Sequence, residues 1–162
     1  MTGNSLAAID ALIAAGLDLV VIGGLAVNAH GFARATEDTD VVLRRDEKSL
    51  PRLLSALKSI NAFYITDQID PATGMERIEP VSMSYIRSHL LMMMGSDHGY
   101  INLFAFIPGL PNEPLGDLFA TRVVVGGRAY CSLEWLRRMK RASGRPRDLL
   151  DLEALGSRED QD

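Results

Sequence analysis

The sequence predicts an α/β (α+β) fold: a mixed β-sheet flanked by helices and finished by a short C-terminal helical pair. Three observations carry this. The run Leu17 to Ile22 is apolar at all but one position and stops at Gly23-Gly24, as a strand buried on both faces would. Two stretches further on have hairpin composition, one around GSDHG (95–99) and one around Gly126-Gly127. Segments with apolar residues three and four apart lie between them.

Residues 5 to 15 read as a helix, with Asn4 or Ser5 as cap, an apolar face of Leu6, Ile9, Leu12 and Ile13, and Gly16 at its end. After the strand at 17–22, Leu25 to His30 gives about two helical turns. Residues 32 to 37 connect to a second strand, 39 to 43, with Asp40 near its start. Ser49 is the expected cap of the next helix, with Pro51 in its first turn, where a missing N–H costs little. A short strand is expected within 63–69, a loop over 71–80 and a short helix over 81–88.

Residues 89–94 and 100–106 pair as an antiparallel hairpin across the 95–99 turn. A loop (108–114) and a short helix (115–121) follow, then the hairpin 123–125 with 128–131. Ser132 caps a helix that ends at Gly144, and Pro146 separates it from a last helix, 147–155. The Met92-Met93-Met94 run reads as core filling. Trp135 is expected to anchor the last helices, and Cys131 to be a buried strand residue.

The 162 residues fit a single domain, 1–155, with an acidic frayed tail at 156–162. No apolar run approaches the ~20 residues that span a bilayer, so no membrane partner is expected. MTGNSLAAID lacks the basic start of a signal peptide. One cysteine permits no internal disulfide, and no Cys/His spacing suggests zinc. A cytoplasmic protein is the expectation. The formal net charge of −4 does not favour a nucleic-acid partner in total. The run from Arg137 to Arg147 is nevertheless basic and free of acids, and Arg137, Arg138 and Arg141 could meet RNA backbone or simply form a solvated face.

Asp38 and Asp40 are two residues apart, so on a strand they share one face. Two carboxylates there repel unless a cation intervenes, and hard cations such as Mg²⁺ choose carboxylate and phosphate oxygens. Two such ions ~4 Å apart can clamp the attacking and leaving oxygens of phosphoryl transfer. Alone, the pair also fits a solvated strand end. Gly23-Gly24 alone fits a tight turn: it has neither the G-x-G-x-x-G order nor the Gly-Lys-Ser/Thr of a Walker loop. Two glycines before a helix still bring backbone N–H groups within reach of a phosphate. Lys140 and Arg145 could meet the same phosphates, with Asp148 orienting a basic group, or they could form a solvated face with Asp148 capping the last helix. Arg34 is either a phosphate contact or the partner of Glu37 or Asp38.

Taken together, strand, Gly-Gly, thirteen residues and Asp-x-Asp entering a strand (GGLAVNAHGFARATEDTD) resemble the nucleotidyltransferase superfamily, the fold of DNA polymerase beta. Arg34, Thr36, Asp38 and Asp40, with the stretch LEWLRRMKRASGRPRDLLDLEAL, look most like the branch of AbiEii-type toxins and small bacterial nucleotidyltransferases. The resemblance covers roughly residues 17 to 155. It implies transfer of a nucleoside monophosphate from a Mg-NTP to an acceptor hydroxyl on RNA, a protein or a small molecule. Gly23, Gly24, Arg34, Thr36, Lys140 and Arg145 would bind nucleotide, Asp38 and Asp40 would be catalytic and hold two Mg²⁺ ions, and Asp148 would support them. An antitoxin or a second copy of the chain is the implied protein partner. The family's third carboxylate falls in GYINLF, where this chain has Asn102. An amide can offer a metal its oxygen but takes no proton near neutral pH. Asp97, five residues earlier in the hairpin turn, could substitute only from a different angle, against the strand register. With Asn102, fewer metal ions could be held, and the alternative reading is a degenerate member that binds nucleotide, RNA or a partner protein without catalysis.

Overall fold

The amphipathic start of the chain forms α1 (Ser5–Ala14) in a computed structural model that describes residues 5–159. Asn4, one of the two expected caps, lies outside the described residues. Leu17 N–H bonds back to Leu12 carbonyl, so the first two residues of the apolar run close the turn. The strand proper is β1 (Leu19–Ile22), buried at all four positions. α2 (Gly23–Ala29) begins on the first glycine. β2 (Asp38–Leu43) then returns antiparallel to β1, placing Ile22 opposite Asp40.

α3 (Leu50–Ser59) is capped differently from expectation. Ser49 is helical in backbone and makes no side-chain cap bond to α3. Instead, Ser49 N–H donates to Asp46 Oδ1 (2.8 Å) while Asp46 N–H donates to Ser49 Oγ (2.9 Å). This reciprocal pair has the logic of a capping box, moved three residues upstream.

β3 (Phe63–Ile69) pairs antiparallel with β4 (Glu76–Pro80). The loop expected over 71–80 is therefore half strand. All five side chains of β4 are exposed, so ERIEP carries no buried alternation to mark it. Ser82 Oγ accepts from Tyr85 N–H and caps α4 (Met83–Ser88).

β5 (Leu91–Met94) and β6 (Tyr100–Phe104) form the expected hairpin. α5 (Gly116–Ala120) precedes the second hairpin, β7 (Val123–Val125) with β8 (Arg128–Tyr130). Cys131 follows β8, is buried, and donates its N–H to Val21 carbonyl. Burial pushes its thiol up to about 12. Ser132 caps α6 (Leu133–Ser143), and Gly144 ends it in the left-handed conformation. Trp135 is buried and anchored through Nε1–H to Asp117 Oδ2 (2.8 Å). α7 (Pro146–Glu159) runs four residues past its expected end and takes in the start of the supposed tail. Residues 160–162 of that tail lie outside the described residues.

The main sheet has the order β5-β6-β2-β1-β8-β7, and β3-β4 form a separate ribbon. β1 pairs parallel with β8, and β2 parallel with β6. The sheet is thus mixed, with antiparallel pairs at both edges and at β1–β2. α1 packs on α3, while α6 contacts α2 and α7. Among the described residues no helix is long and apolar enough to cross a membrane.

Candidate functional site

Parallel pairing of β2 with β6 sets Asp38 beside Tyr100 and Asp40 beside Asn102. Asn102, which stands where the family resemblance implies a third carboxylate, is thus in register with Asp40. Its Nδ2 donates to Asp40 Oδ1 at 2.8 Å. Asp97 offers no substitute: it does not line the cleft, and its Oδ2 accepts from Asn61 Nδ2 (2.6 Å).

The two glycines make room for two particular side chains. Gly23 has φ +67, and a Cβ on it would lie 2.5 Å from Asp40 Oδ2. A Cβ on Gly24 would lie 2.7 Å from Thr36 Oγ1 and 2.8 Å from Thr36 Cβ. The Thr36 hydroxyl donates to Asp38 carbonyl (3.1 Å), fixing the approach to β2. Gly-Gly here is a packing requirement of the residues that follow it, as much as a turn.

Beside α2, α6 and α7 contribute a charged network. Lys140 is 5% exposed, and its Nζ donates to Asp148 Oδ1 (3.1 Å) and Asp151 Oδ2 (2.7 Å). Asp151 also pairs with Arg34, which answers the open question about that arginine: its partner is neither Glu37 nor Asp38. Asp148 accepts from Ser143 Oγ and from Arg145 Nε (2.8 Å). Burial raises the Asp148 carboxyl, but its hydrogen bonds from Ser143, Arg145 and Lys140 outweigh this and bring it down to about 2. Asp40 goes the other way. Burial pushes it up, the Asn102 hydrogen bond offsets part of that, and Asp38 adds to the rise while Arg145 and Lys140 oppose it.

These residues line two adjoining cavities. The larger, ≈ 600 Å³, takes in Gly24, Arg34, Thr36, Asp38, Asn102 and Arg147. The smaller, ≈ 300 Å³, takes in Gly23, Lys140, Ser143 and Asp148 against Leu136 and Met139. Asp40, Phe104 and Arg145 border both. Every site residue expected from sequence therefore faces one cleft system. Met93 faces it too and is 65% exposed, whereas Met92 and Met94 are buried. The core-filling reading of the methionine run fails at its middle residue, because alternation in β5 turns Met93 to the opposite face.

A roomier cavity, ≈ 880 Å³, opens at the other end of β2 around Arg44, Arg45, Arg52 and Arg87. Its arginines are engaged locally: Arg45 on the Ile86 and His89 carbonyls, Arg52 on Gly16 carbonyl, and Arg87 on Glu47. Size alone does not make it the site.

Asp38 and Asp40 fit a divalent cation in two respects. They share a face, and Asp40 is a partly buried carboxylate whose ionisation a nearby cation would favour. Among the described residues no group of three or more His, Cys, Asp or Glu side chains is placed to hold a metal. The remaining ligands would be phosphate oxygens and water, which Mg²⁺ readily keeps.

Asp151 and Phe104 went unassigned in the sequence. For Asp151 a signal was present: it stands three residues after Asp148, on the same face of a helix. Phe104 had none beyond its place two residues after Asn102.

No family model matches the chain, and no curated protein matches its sequence. Solved structures do. The solution structure of the antibiotic-resistance factor ANT(2'')-Ia aligns with 97% of this chain and 85% of its own, at TM-score 0.56 and 14% identity. The fold is nucleotidyltransferase-like. JHP933 from Helicobacter pylori aligns with 95% of the chain at TM-score 0.49 and 18% identity. A further H. pylori protein, provisionally classed as a nucleotidyltransferase, aligns with 85% at TM-score 0.41 and 17% identity. The chain spans 65% of the length of JHP933 and 56% of that third protein. In the nucleotidyltransferase-like fold of this chain, the Gly-Gly turn, both aspartates and the α6–α7 network converge at one end of β2.

Proposed function

We propose that the chain is a Mg²⁺-dependent nucleotidyltransferase that moves a nucleoside monophosphate from an NTP to an acceptor hydroxyl. The observation that carries this is the convergence of Gly23, Asp40, Lys140 and Arg145 on one cavity, from three separate parts of the sequence. Asp38 and Asp40 would hold the cation, which supplies charge neutralisation on the phosphate oxygens. Arg34, Arg145 and Arg147 line the cleft on the side of Thr36 and would bind the triphosphate. Lys140 is held by two carboxylates, so it faces the ligand as a fixed charge with a preset position.

A second reading, nucleotide binding without transfer, is favoured by one observation. Asn102 turns its NH₂ to Asp40, where a third carboxylate would bind metal or take the acceptor's proton. Calorimetry with Mg-NTPs, run beside transfer of a labelled NTP to total RNA, protein and small metabolites, separates the two. Binding with transfer supports the first reading, and binding without transfer the second. Retention of metal-dependent NTP binding in Asp38→Ala would sink both.

The proposal extends to the branch of AbiEii-type toxins, on the strength of the Gly-Arg-Pro-Arg-Asp turn between α6 and α7. Action as the toxin of a pair in the bacterial cytoplasm predicts growth arrest on induced expression, relieved by Asp40→Ala and by an antitoxin.

A further inference from the structure

A second open cleft adjoins the nucleotide cleft and shares Leu91 and Met93 with it. It measures ≈ 650 Å³ and is formed by the β3–β4 ribbon, α4 and edge strand β5. One side is a column of rings. Tyr64 stacks on Tyr85 with centroids 4.0 Å apart and planes within 4°, and His89 continues the column 4.2 Å from Tyr85. Tyr85 is buried, so the accessible rings are Tyr64 and His89.

The two clefts differ in charge: only the first has arginines in its lining. The nucleotide cleft carries Arg34, Arg145 and Arg147 along with its carboxylates. The second cleft is lined by Asp67 and Glu79 and by no lysine or arginine. Glu79 faces Tyr64 across the β3–β4 ribbon, which puts a carboxylate beside a ring. The first cleft offers a phosphate its arginines, whereas the second would repel a phosphodiester. Rings with adjacent carboxylates favour the reverse: a cation on a planar or alicyclic frame.

We infer that the second cleft receives the acceptor, and that the acceptor is a small ring-bearing alcohol carrying an ammonium group. This rests on the nucleotidyltransferase reading above. The ring packs on Tyr64 or His89, the ammonium pairs with Asp67 or Glu79, and the hydroxyl passes Met93 toward the α-phosphorus. The acceptor oxygen forms the new P–O bond, the bond to the β-phosphate oxygen breaks with its electrons leaving on pyrophosphate, and the hydroxyl proton goes to water.

The test uses tyramine as probe, 4-hydroxyphenylethanol as its uncharged analogue, and a short RNA with a free 3′-hydroxyl as polyanion. Binding to the full chain is measured by NMR titration with a non-hydrolysable Mg-NTP present, for the native chain and for Asp67→Asn/Glu79→Gln. Both substituted residues are exposed, and thermal melting checks that the double variant folds. Tyramine should perturb Tyr64 and His89 signals, bind at least tenfold more tightly than the analogue, and lose at least tenfold in the double variant, with Mg-NTP affinity unchanged. Failure of tyramine to bind a chain that binds Mg-NTP overturns the inference. Equal binding by the double variant, or RNA displacing tyramine from those signals, overturns it too. Failure to bind Mg-NTP, by contrast, counts against the nucleotide site itself, whatever tyramine does.

Discussion

Asn102 Nδ2 donates a hydrogen bond of 2.8 Å to Asp40 Oδ1 across the parallel pair β2–β6. The donor occupies an oxygen that a cation would otherwise use. Asn102→Asp removes the donor and adds a negative charge in register with Asp40. Metal affinity should rise at least tenfold, and transfer to an acceptor should rise by at least the same factor. Without metal, the folded state should lose about 1–2 kcal/mol through like-charge repulsion. Metal titration with thermal melting reads both, and a variant equally stable with and without Mg²⁺ would contradict the arrangement.

Gly23 is the tighter of the two glycine positions. Alanine there would need a left-handed backbone and would drive its Cβ to 2.5 Å from the Asp40 carboxylate. Gly23→Ala should cost about 2 kcal/mol or more in folding and abolish Mg-NTP binding by displacing Asp40. Denaturant unfolding with calorimetry checks this. The Gly24→Ala variant displaces Thr36 instead, so its binding loss should be smaller than that of Gly23→Ala.

Asp151 ties Arg34 to Lys140, joining the connection before β2 to the C-terminal helices. Asp151→Asn leaves Lys140 with Asp148 and frees Arg34. The variant should lose about 1–3 kcal/mol of stability, while α7 should exchange its amide hydrogens faster. Hydrogen exchange over α7 that matches the native chain would count against a tethering role for Asp151.

Acid should loosen the same region. The folded Asp148 carboxyl lies at about 2, below its ordinary 3.8. The folded state therefore holds that proton less tightly than the unfolded chain does. Its contribution is complete above pH 3.8 and is lost as pH falls toward 2. Unfolding free energy measured across this window should fall more steeply for the native chain than for Asp148→Asn.

The sheet and most helices were legible in the sequence because burial left its mark on the residues. The all-buried β1 and the Ser132-capped α6 are examples. β4 was not legible, since ERIEP is exposed throughout and pairs only through its backbone. The cap of α3 was misplaced because Ser49 and Asp46 are both capping residues, and only the backbone angles of Ser49 decide between them. At the site, residue types and spacing singled out the groups from Gly23 to Asp40, which the fold brings to one cleft, but the β2–β6 pairing that sets Asn102 beside Asp40 was not read from the sequence. Asp151 escaped notice because its partners lie on another helix and in the connection before β2. The second cleft escaped for a related reason, as one of its walls is β4.

The Arg34–Asp151 pair joins residues 117 positions apart. A nascent chain therefore completes β1, α2 and β2 long before it can secure the cations that face them. Until α7 has left the ribosome, Arg34 and Lys140 have no Asp151 to hold them, and Arg145 has no Asp148. Under the nucleotidyltransferase reading, a product that stops before α7 keeps Lys140 and Arg145 but lacks the carboxylates that fix them, so it should hold an NTP less tightly.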